Sequence, residues 1–229
     1  MTSAVRHVIY LHGFASSPDS SKAQRFRREL APYGVGFSCP DLNDPAFETL
    51  TVTRMLGDVR RILASLGDGP IALIGSSLGG FVAVHAAEEA RHAGDGRVDR
   101  LIALAPAFDF GGNRLRQLGE HGLEEWRREG RLRVMHYASN TYRDIGYQLY
   151  SDAAGYDAFA LGATLPMLVY QGTRDETVDP AMVKNWCADR PDVTLRLVDD
   201  DHQLTASMDE IWEGARGFLG LGGNLELRT

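Results

Sequence analysis

Residues 71–83 read IALIGSSLGGFVA, an apolar run followed by a Gly-x-Ser-x-Gly motif and then by apolar residues at helical spacing. An apolar strand that turns directly into a helix lifts the central serine, Ser77, clear of the sheet. Small residues at Gly75 and Gly79 allow the tight turn, and the N-terminus of the helix directs free N–H groups towards negative charge at that point. The stretch therefore predicts an α/β fold with Ser77 as a nucleophile, the alternative being an ordinary strand-to-helix turn.

Length and composition limit the remaining possibilities. The chain has 229 residues, of which 44% are hydrophobic, and a formal net charge of −7. This length can bury one sizeable core, so we predict a single domain over residues 1–229. The acidic balance argues against partners such as nucleic acid or an anionic membrane. No charged and apolar leader precedes the first strand pattern, and no apolar stretch is long enough to span a bilayer, so we expect a cytoplasmic protein.

Strand-like and helix-like patterns alternate along the chain, which predicts about six mostly parallel strands flanked by helices. The predicted strands are 8–11, 35–39, 71–75, 101–105, 167–171 and 195–198, and the predicted helices are 20–33, 47–66, 77–93, 180–188 and 205–219. The segment at about 108–165 breaks this rhythm with a charged helical pattern at 115–129 and a tyrosine-rich stretch at 134–156. We expect it to form a small cap insertion over the carboxyl ends of the strands, where open α/β sheets bind ligands.

A serine nucleophile needs a base, because a free hydroxyl is too weakly acidic to react at neutral pH. His202 follows the last strand pattern and precedes the last helix, so it should emerge on the same sheet edge as Ser77. His12 also follows a strand, but it precedes Gly13 and Phe14 and has the character of a loop residue. The other histidines lie at the wrong end of the sheet, along the helix after Ser77 or in the insertion: His7, His85, His92, His121 and His136. The alternative is that His202 is a solvated loop histidine. The strand-to-helix turn at Ser77, a nucleophile elbow, favours the role of base for His202.

A carboxylate must hold the imidazole in one tautomer and stabilise it when it is protonated. Asp175 lies just past the predicted strand 167–171 and is our candidate, with Glu176 and Asp179 as rivals that could instead cap a helix or lie on the surface. The order Ser77, Asp175, His202 is the chain order of α/β-hydrolase triads.

An oxyanion formed at Ser77 also needs hydrogen-bond donors. We expect one to be the backbone N–H of Leu78, directly after the nucleophile, and the second to be that of Phe14 in the loop after the first strand. Gly13 would let this loop approach the site closely. The alternative is that His12 and Gly13 only form a tight turn.

Several blocks together resemble the YqiA-like small bacterial esterases of the α/β-hydrolase superfamily. These blocks are YLHGFASSP at 10–18 followed by Ser20, Lys22 and Ala23, IGSSLGG at 74–80, QGTRDETVD at 171–179, and His202. The resemblance implies a compact hydrolase that lacks the first two strands of the full superfamily sheet. It also implies activity on acyl esters, with Ser77, Asp175 and His202 at the matching triad positions. The chain departs from the family in the insertion and in its acidic run 199–201, where the family tends to carry glycine.

We therefore predict a serine hydrolase that cleaves carboxylic esters of short to medium acyl chains through an acyl-enzyme, without a cofactor or a metal. The expected partner is a small-molecule acyl ester or thioester. One alternative is an acyl-coenzyme A thioesterase whose phosphates meet a basic cluster, although a solvated helix face is the more ordinary interpretation of these residues. The basic cluster consists of Arg127, Arg128, Arg131 and Arg133. A peptidase or a hydrolase of C–C bonds would share the triad, and a non-catalytic binding module would share the fold.

Overall fold

A computed structural model describes residues 3–162 and 165–222. Its eight strands within these ranges are β1 (His7–Leu11), β2 (Gly36–Ser38), β3 (Ile71–Ser76), β4 (Val98–Leu104), β5 (Arg131–His136), β6 (Thr141–Gly146), β7 (Met167–Gly172) and β8 (Val193–Val198). Six of them form one parallel sheet in the order β2-β1-β3-β4-β7-β8, and β5 pairs with β6 in an antiparallel hairpin. The predicted α/β-hydrolase fold with about six parallel strands and a small insertion is confirmed.

Seven α-helices accompany these strands in the described ranges. They are α1 (Ser21–Leu30), α2 (Val52–Ser65), α3 (Leu78–His92), α4 (Phe110–Glu129), α5 (Gln148–Ala153), α6 (Pro180–Ala188) and α7 (Met208–Phe218). One face of the sheet packs against α2, α3 and α6, and the other packs against α1 and α7. Because both faces are covered, the residues of β3 and β7 are buried without interruption, which explains their continuous apolar sequences.

One predicted helix, 47–66, is divided in the structure. A short 3₁₀ helix occupies Phe47–Thr49, and α2 begins only after Thr51. The hydroxyl of Thr51 accepts a hydrogen bond from the N–H of Arg54 at 3.2 Å, which caps the new helix. The apolar spacing runs through both pieces, so hydrophobic periodicity gave no sign of the break.

The insertion consists of α4, the hairpin of β5 and β6, and α5. Trp126 anchors it, since its indole is buried and its Nε1–H donates to the carbonyl of Ile145 at 3.0 Å. At the hairpin turn, the N–H of Ala138 donates to the carbonyl of Ala15, in the loop after β1, at 3.2 Å. Residues 163–164 of the predicted insertion and residues 1–2 and 223–229 of the predicted domain lie outside the described residues.

Two further features concern the described residues. In the described part of the chain, no helix combines the length and the apolar character needed to cross a bilayer. Cys39 and Cys187 both carry free thiols.

Candidate active site

The site is built around the turn between β3 and α3. Ser77 occupies this turn with φ 53° and ψ −118°, a left-handed conformation that costs a non-glycine residue about 1–3 kcal/mol. Backbone hydrogen bonds to the end of β4 and to the loop after it help to hold it there: the N–H of Ser77 donates to the carbonyl of Leu104 at 2.9 Å, and its carbonyl accepts from the N–H of Ala107 at 3.1 Å. The strained backbone directs the Ser77 hydroxyl away from the sheet.

The flanking glycines are required by close backbone contacts. A Cβ on Gly79 would overlap the carbonyl oxygen of Leu11 and would lie 2.7 Å from the carbonyl oxygen of His12. A Cβ on Gly75 would lie 2.6 Å from the Cα of Gly80. The elbow therefore packs backbone against backbone, and only glycine satisfies this geometry at both positions.

Three residues that are distant in sequence meet at the carboxyl edge of the sheet. His202, in the loop between β8 and α7, places Nε2 3.1 Å from the Oγ of Ser77. Its Nδ1 lies 2.8 Å from Oδ2 of Asp175, in the loop after β7. The side chain of Asp175 is 0% exposed and that of His202 is 16% exposed. The structure thus brings together the three residues that the sequence predicts to act in concert.

The contacts also assign the imidazole tautomer. An ionised carboxylate can only accept hydrogen bonds, so Nδ1 of His202 carries the proton and donates to Asp175. Nε2 then has a free lone pair and can accept a hydrogen bond from the hydroxyl of Ser77. This arrangement can move a proton from the serine to the histidine while the aspartate stays ionised.

The surroundings of Asp175 favour its charged form. Burial alone would raise the pKa of this carboxyl, but hydrogen bonds from His202, from the backbone N–H of Val178 and from the amide of Gln171 outweigh burial and lower it. Oδ1 accepts the N–H groups of Thr177 and Val178, each at 2.8 Å. Oδ2 accepts the Nε2–H of Gln171 at 2.9 Å in addition to His202. Gln171 was not among the predicted site residues, although an amide at the end of an apolar strand was a visible signal.

The rival carboxylates lie elsewhere. Glu176 is exposed. Asp179 caps α6, where its Oδ1 accepts the N–H of Ala181 at 2.8 Å. Neither contacts His202 within hydrogen-bond distance.

The two expected oxyanion donors flank Ser77. Leu78 is the first residue of α3, and Phe14 belongs to the loop after β1, which passes Ser77 closely. A Cβ on Gly13 would lie 3.4 Å from the Cβ of Ser77. Within residues 3–162 and 165–222, neither the Phe14 N–H nor the Leu78 N–H has a hydrogen-bond acceptor. Both are therefore available to bind a negatively charged oxygen.

His12 shapes this loop. Its Nε2 accepts the N–H of Leu42 at 3.0 Å, so the ring proton is on Nδ1, which donates to the carbonyl of Gly13 at 2.9 Å. Both ring nitrogens are thereby occupied, and neither can accept the proton of Ser77. His85 is excluded as the base for Ser77 for another reason. It is buried against Phe81, and burial lowers its pKa to about 4.

The acidic run before His202 folds into a turn. Asp200 is buried, and its carboxylate accepts the N–H groups of Asp201 and Ser207, each at 2.8 Å. These hydrogen bonds outweigh burial and lower the pKa of Asp200. Asp199 pairs on the surface with Arg174 at 2.7 Å. The aspartates thus shape the turn that carries His202.

Lys22 ties the same turn to α1. Its Nζ donates to the carbonyl of Gln203, directly after His202, at 2.8 Å. Burial lowers the pKa of Lys22 to about 8, while the charges of Asp201, Asp175 and Asp200 oppose this change. Lys22 belongs to a sequence motif, but no local pattern indicates this contact, because it spans 181 residues.

A cleft of about 870 Å³ opens above Ser77. Its wall combines the loop after β1, the start of α1, the turn of His202, part of α4 and the tip of the hairpin. Arg114 of α4 and Tyr137 of the hairpin both line it. The insertion therefore forms one side of the cleft.

The basic cluster lies outside this cleft. Arg127, Arg128 and Arg131 are exposed and form ion pairs with acidic neighbours. These pairs are Arg127–Glu124 (2.8 Å), Arg128–Glu129 (3.1 Å) and Arg131–Asp144 (3.9 Å). The guanidinium of Arg133 lies 5.6 Å from the ring centroid of Tyr142. None of the four lines the cleft above Ser77.

Comparison with known proteins places this chain in a family. Residues 7–216 match the Uncharacterised protein family (UPF0227). The chain belongs to this family. The match covers most of the chain, including β1, the elbow and the loops that carry Asp175 and His202, and the resemblance to YqiA-like esterases is confirmed.

One relative and two solved structures are similar to this UPF0227 protein over most of its length. The mitochondrial palmitoyl-protein thioesterase ABHD10 of Rattus norvegicus is 28% identical over 214 residues, which cover 88% of this chain and 70% of the relative. A candidate hydrolase from Agrobacterium vitis S4 is 25% identical in sequence. Its crystal structure matches with a TM-score of 0.83 over 94% of this chain and 88% of that chain. Est1E of Butyrivibrio proteoclasticus with bound ferulic acid is 19% identical, with a TM-score of 0.78 over 94% and 88%.

Proposed function

We propose that this protein is a serine hydrolase that cleaves small carboxylic esters through an acyl-enzyme. The observation that carries the proposal is the continuous contact from Ser77 Oγ through His202 to Asp175, at 3.1 and 2.8 Å. Family membership and the relation to a thioesterase support the same chemistry.

In the proposed reaction, Ser77 attacks the acyl carbonyl and His202 Nε2 takes its proton. His202 then returns this proton to the leaving alcohol as the bond to the acyl group breaks. A water molecule, activated by the same imidazole, cleaves the acyl-enzyme and releases the acid. Asp175 remains ionised throughout and stabilises the imidazolium.

The tetrahedral intermediate of each step carries a negative oxygen. The N–H groups of Phe14 and Leu78 are the proposed donors, because both lack an acceptor among the described residues. Removal of one such donor in other serine hydrolases costs about 10²–10³ in kcat. The positive end of α3 adds to the stabilisation.

Short to medium acyl chains are the proposed substrates, because the cleft wall around Ser77 mixes hydroxyl, amide and charged side chains with apolar ones. Long alkyl chains require a continuous apolar wall. Rates on p-nitrophenyl esters of graded chain length test this assignment. A maximum at sixteen carbons would contradict it.

The catalytic assignment is tested by Ser77→Ala and Ser76→Ala. We expect Ser77→Ala to abolish both ester hydrolysis and covalent labelling by a fluorophosphonate while the protein stays folded by circular dichroism. Ser76→Ala controls for the neighbouring hydroxyl and should retain substantial activity. Labelling that persists in Ser77→Ala would overturn the assignment. A wild type that neither labels nor hydrolyses any ester would support a binding module on the same fold.

A thioesterase is the second candidate, and the relation to palmitoyl-protein thioesterase ABHD10 is what favours it. The same Ser77 and His202 can expel a thiolate, which is a better leaving group than an alcohol. Paired oxygen and thioester substrates with the same acyl chain distinguish the two candidates. A kcat/KM ratio that favours the thioester after correction for the uncatalysed rates would establish the second.

A further inference from the structure

One cation in the cleft is not accounted for by the proposed mechanism. Arg114, in the first turns of α4, places its guanidinium carbon 4.5 Å from the ring centroid of Phe14 and 5.2 Å from that of Phe110. The backbone N–H of Phe14 is a proposed oxyanion donor. A positive charge therefore lies beside the place where the substrate carbonyl would react.

Two of the three guanidinium nitrogens of Arg114 have no hydrogen-bond partner among the described residues. Nη1 donates to Oε1 of Gln117 at 2.8 Å, whereas Nε and Nη2 donate to no atom of the described residues. No carboxylate within residues 3–162 and 165–222 lies within 4.0 Å of Arg114. Nε and Nη2 together form the edge of a guanidinium that pairs with both oxygens of a carboxylate.

The charge of Arg114 persists at neutral pH. Burial lowers its pKa to about 10, which leaves the group protonated in any physiological buffer. Arg114 is half-buried, and a partly desolvated cation without a counter-ion is unfavourable, for which the aromatic rings beneath it compensate only in part. An anionic ligand at the free edge would complete the environment of Arg114.

The other charged groups that line the cleft already have partners. Lys22 donates to the carbonyl of Gln203 and faces three carboxylates. Asp19 is exposed and accepts a hydrogen bond from Gln24 at 3.1 Å. Arg114 is thus the charged side chain of the cleft wall with a hydrogen-bonding edge directed to no protein group in the described ranges.

We propose that Arg114 binds a carboxylate carried by the substrate, through Nε and Nη2, and so selects anionic acyl esters over neutral esters of the same length. This inference rests on the proposed serine-hydrolase function and adds the class of substrate. The carboxylate belongs either to the acyl group or to the leaving group, and two substrate pairs distinguish these sources.

The first pair places the charge on the acyl side: mono-(4-nitrophenyl) adipate against 4-nitrophenyl hexanoate. The second pair places it on the leaving group: 4-carboxyphenyl butyrate against 4-carbamoylphenyl butyrate. Wild-type enzyme should show a lower KM for the charged member of one pair, by about 10-fold or more, as for a hydrogen-bonded ion pair. The pair that shows the difference identifies the source of the carboxylate.

Three variants then assign the preference to Arg114. Arg114→Gln should raise the KM for the preferred charged ester by about 10-fold or more and leave kcat and the neutral ester within about twofold. Arg114→Lys keeps the charge but loses the planar edge, so its KM should be intermediate. Arg116→Gln is the matched control, because Arg116 lies on the same helix but pairs with Asp109 outside the cleft wall. It should resemble the wild type.

The alternative is that Arg114 only stacks on Phe14 and holds α4 against the loop after β1. In that case Arg114→Gln would impair charged and neutral esters equally, and the wild type would show no preference within either pair. Either result overturns the inference while leaving the proposed hydrolase intact. Absence of hydrolysis of all four esters, together with absence of fluorophosphonate labelling, would instead overturn the proposed function itself.

Discussion

The elbow and the hairpin insertion face each other across the same cleft, but they are built differently. All six residues of β3 are buried, and the glycines after it allow backbone to touch backbone. In the hairpin, by contrast, Tyr137 is 73% exposed and Tyr142 is 60% exposed. The proposed nucleophile lies in the closely packed elbow, whereas part of the cleft wall is formed by the solvent-exposed hairpin.

The difference separates two requirements. The proposed proton transfer from Ser77 would need its position fixed to within a few tenths of an ångström, which a crowded turn provides. The proposed choice among substrates would depend on side chains at the rim of the cleft, and these can change without moving the turn. The effects of substitutions in the two regions should therefore differ in kind as well as in size.

After loss of the nucleophile itself, the largest expected effect is that of Asp175→Asn. Asparagine would donate rather than accept at one position and would favour the wrong tautomer of His202, so kcat should fall by about 10⁴, as in the equivalent protease substitution. Glu176→Gln is the control, because Glu176 is exposed and should change kcat by about twofold at most. Steady-state kinetics on a neutral ester measures both. A larger loss in Glu176→Gln would transfer the proposed role to that residue.

The same substitution, glycine to alanine, compares the two regions directly. In Gly79→Ala the new Cβ would lie 2.6 Å from the carbonyl carbon of Leu11, and we expect a loss of about 1–3 kcal/mol or more in the free energy of unfolding, together with most of the activity. In Gly111→Ala, on α4, the Cβ meets no atom within 4 Å. Helix propensity should then make that variant neutral or more stable by up to about 1 kcal/mol. Equal losses in urea unfolding would contradict the distinction.

The turn that carries His202 should be sensitive to pH through Asp200. Because its folded-state pKa is lowered, ionised Asp200 stabilises the fold at neutral pH, and this contribution disappears as the pH falls through the lowered value. The difference in unfolding free energy between the wild type and Asp200→Asn should therefore be constant from pH 7 to about 5 and shrink below about 4. Asp199→Asn should cost about 0–1 kcal/mol, since its pair is on the surface. A gap that widens in acid would refute this account of the turn.

The smallest effect is expected in the basic cluster of the insertion. Arg127 and Arg128 are exposed and already paired with glutamates. Arg127→Gln with Arg128→Gln should change kcat/KM for an acyl-coenzyme A by less than about twofold and should leave its salt dependence unaltered. A large, salt-sensitive loss would restore the cluster as a phosphate site.

The contrast also explains what the sequence could predict. The strands β1, β3 and β7 lie within one residue of their predicted bounds because burial on both faces leaves an uninterrupted apolar signal. The start of β4 was missed by three residues, since Asp99 and Arg100 interrupt that signal. Neither strand of the hairpin was predicted, because charged residues such as Arg133 and Arg143 interrupt their apolar pattern.

The candidate site follows the same division. Ser77, Asp175 and His202 each follow a strand of the parallel sheet, so strand order alone predicts that they meet. The oxyanion donors and the catalytic roles remain predictions. Lys22 and Arg114 reach the cleft from helices, and the side of a helix that meets a distant loop depends on tertiary packing. No local pattern indicated that either side chain reaches the cleft.

The point of attachment of the insertion has an evolutionary consequence. Strands β4 and β7 are direct neighbours in the sheet, with Leu101 opposite Met167, although residues 105–166 separate them in sequence. The intervening chain can lengthen, shorten or be replaced while this register stays the same, because doubling the length of a connection costs only about 0.6 kcal/mol. A family with this architecture can diversify its substrates by exchanging one contiguous segment, and a protein engineer can recombine that segment between relatives without altering the elbow.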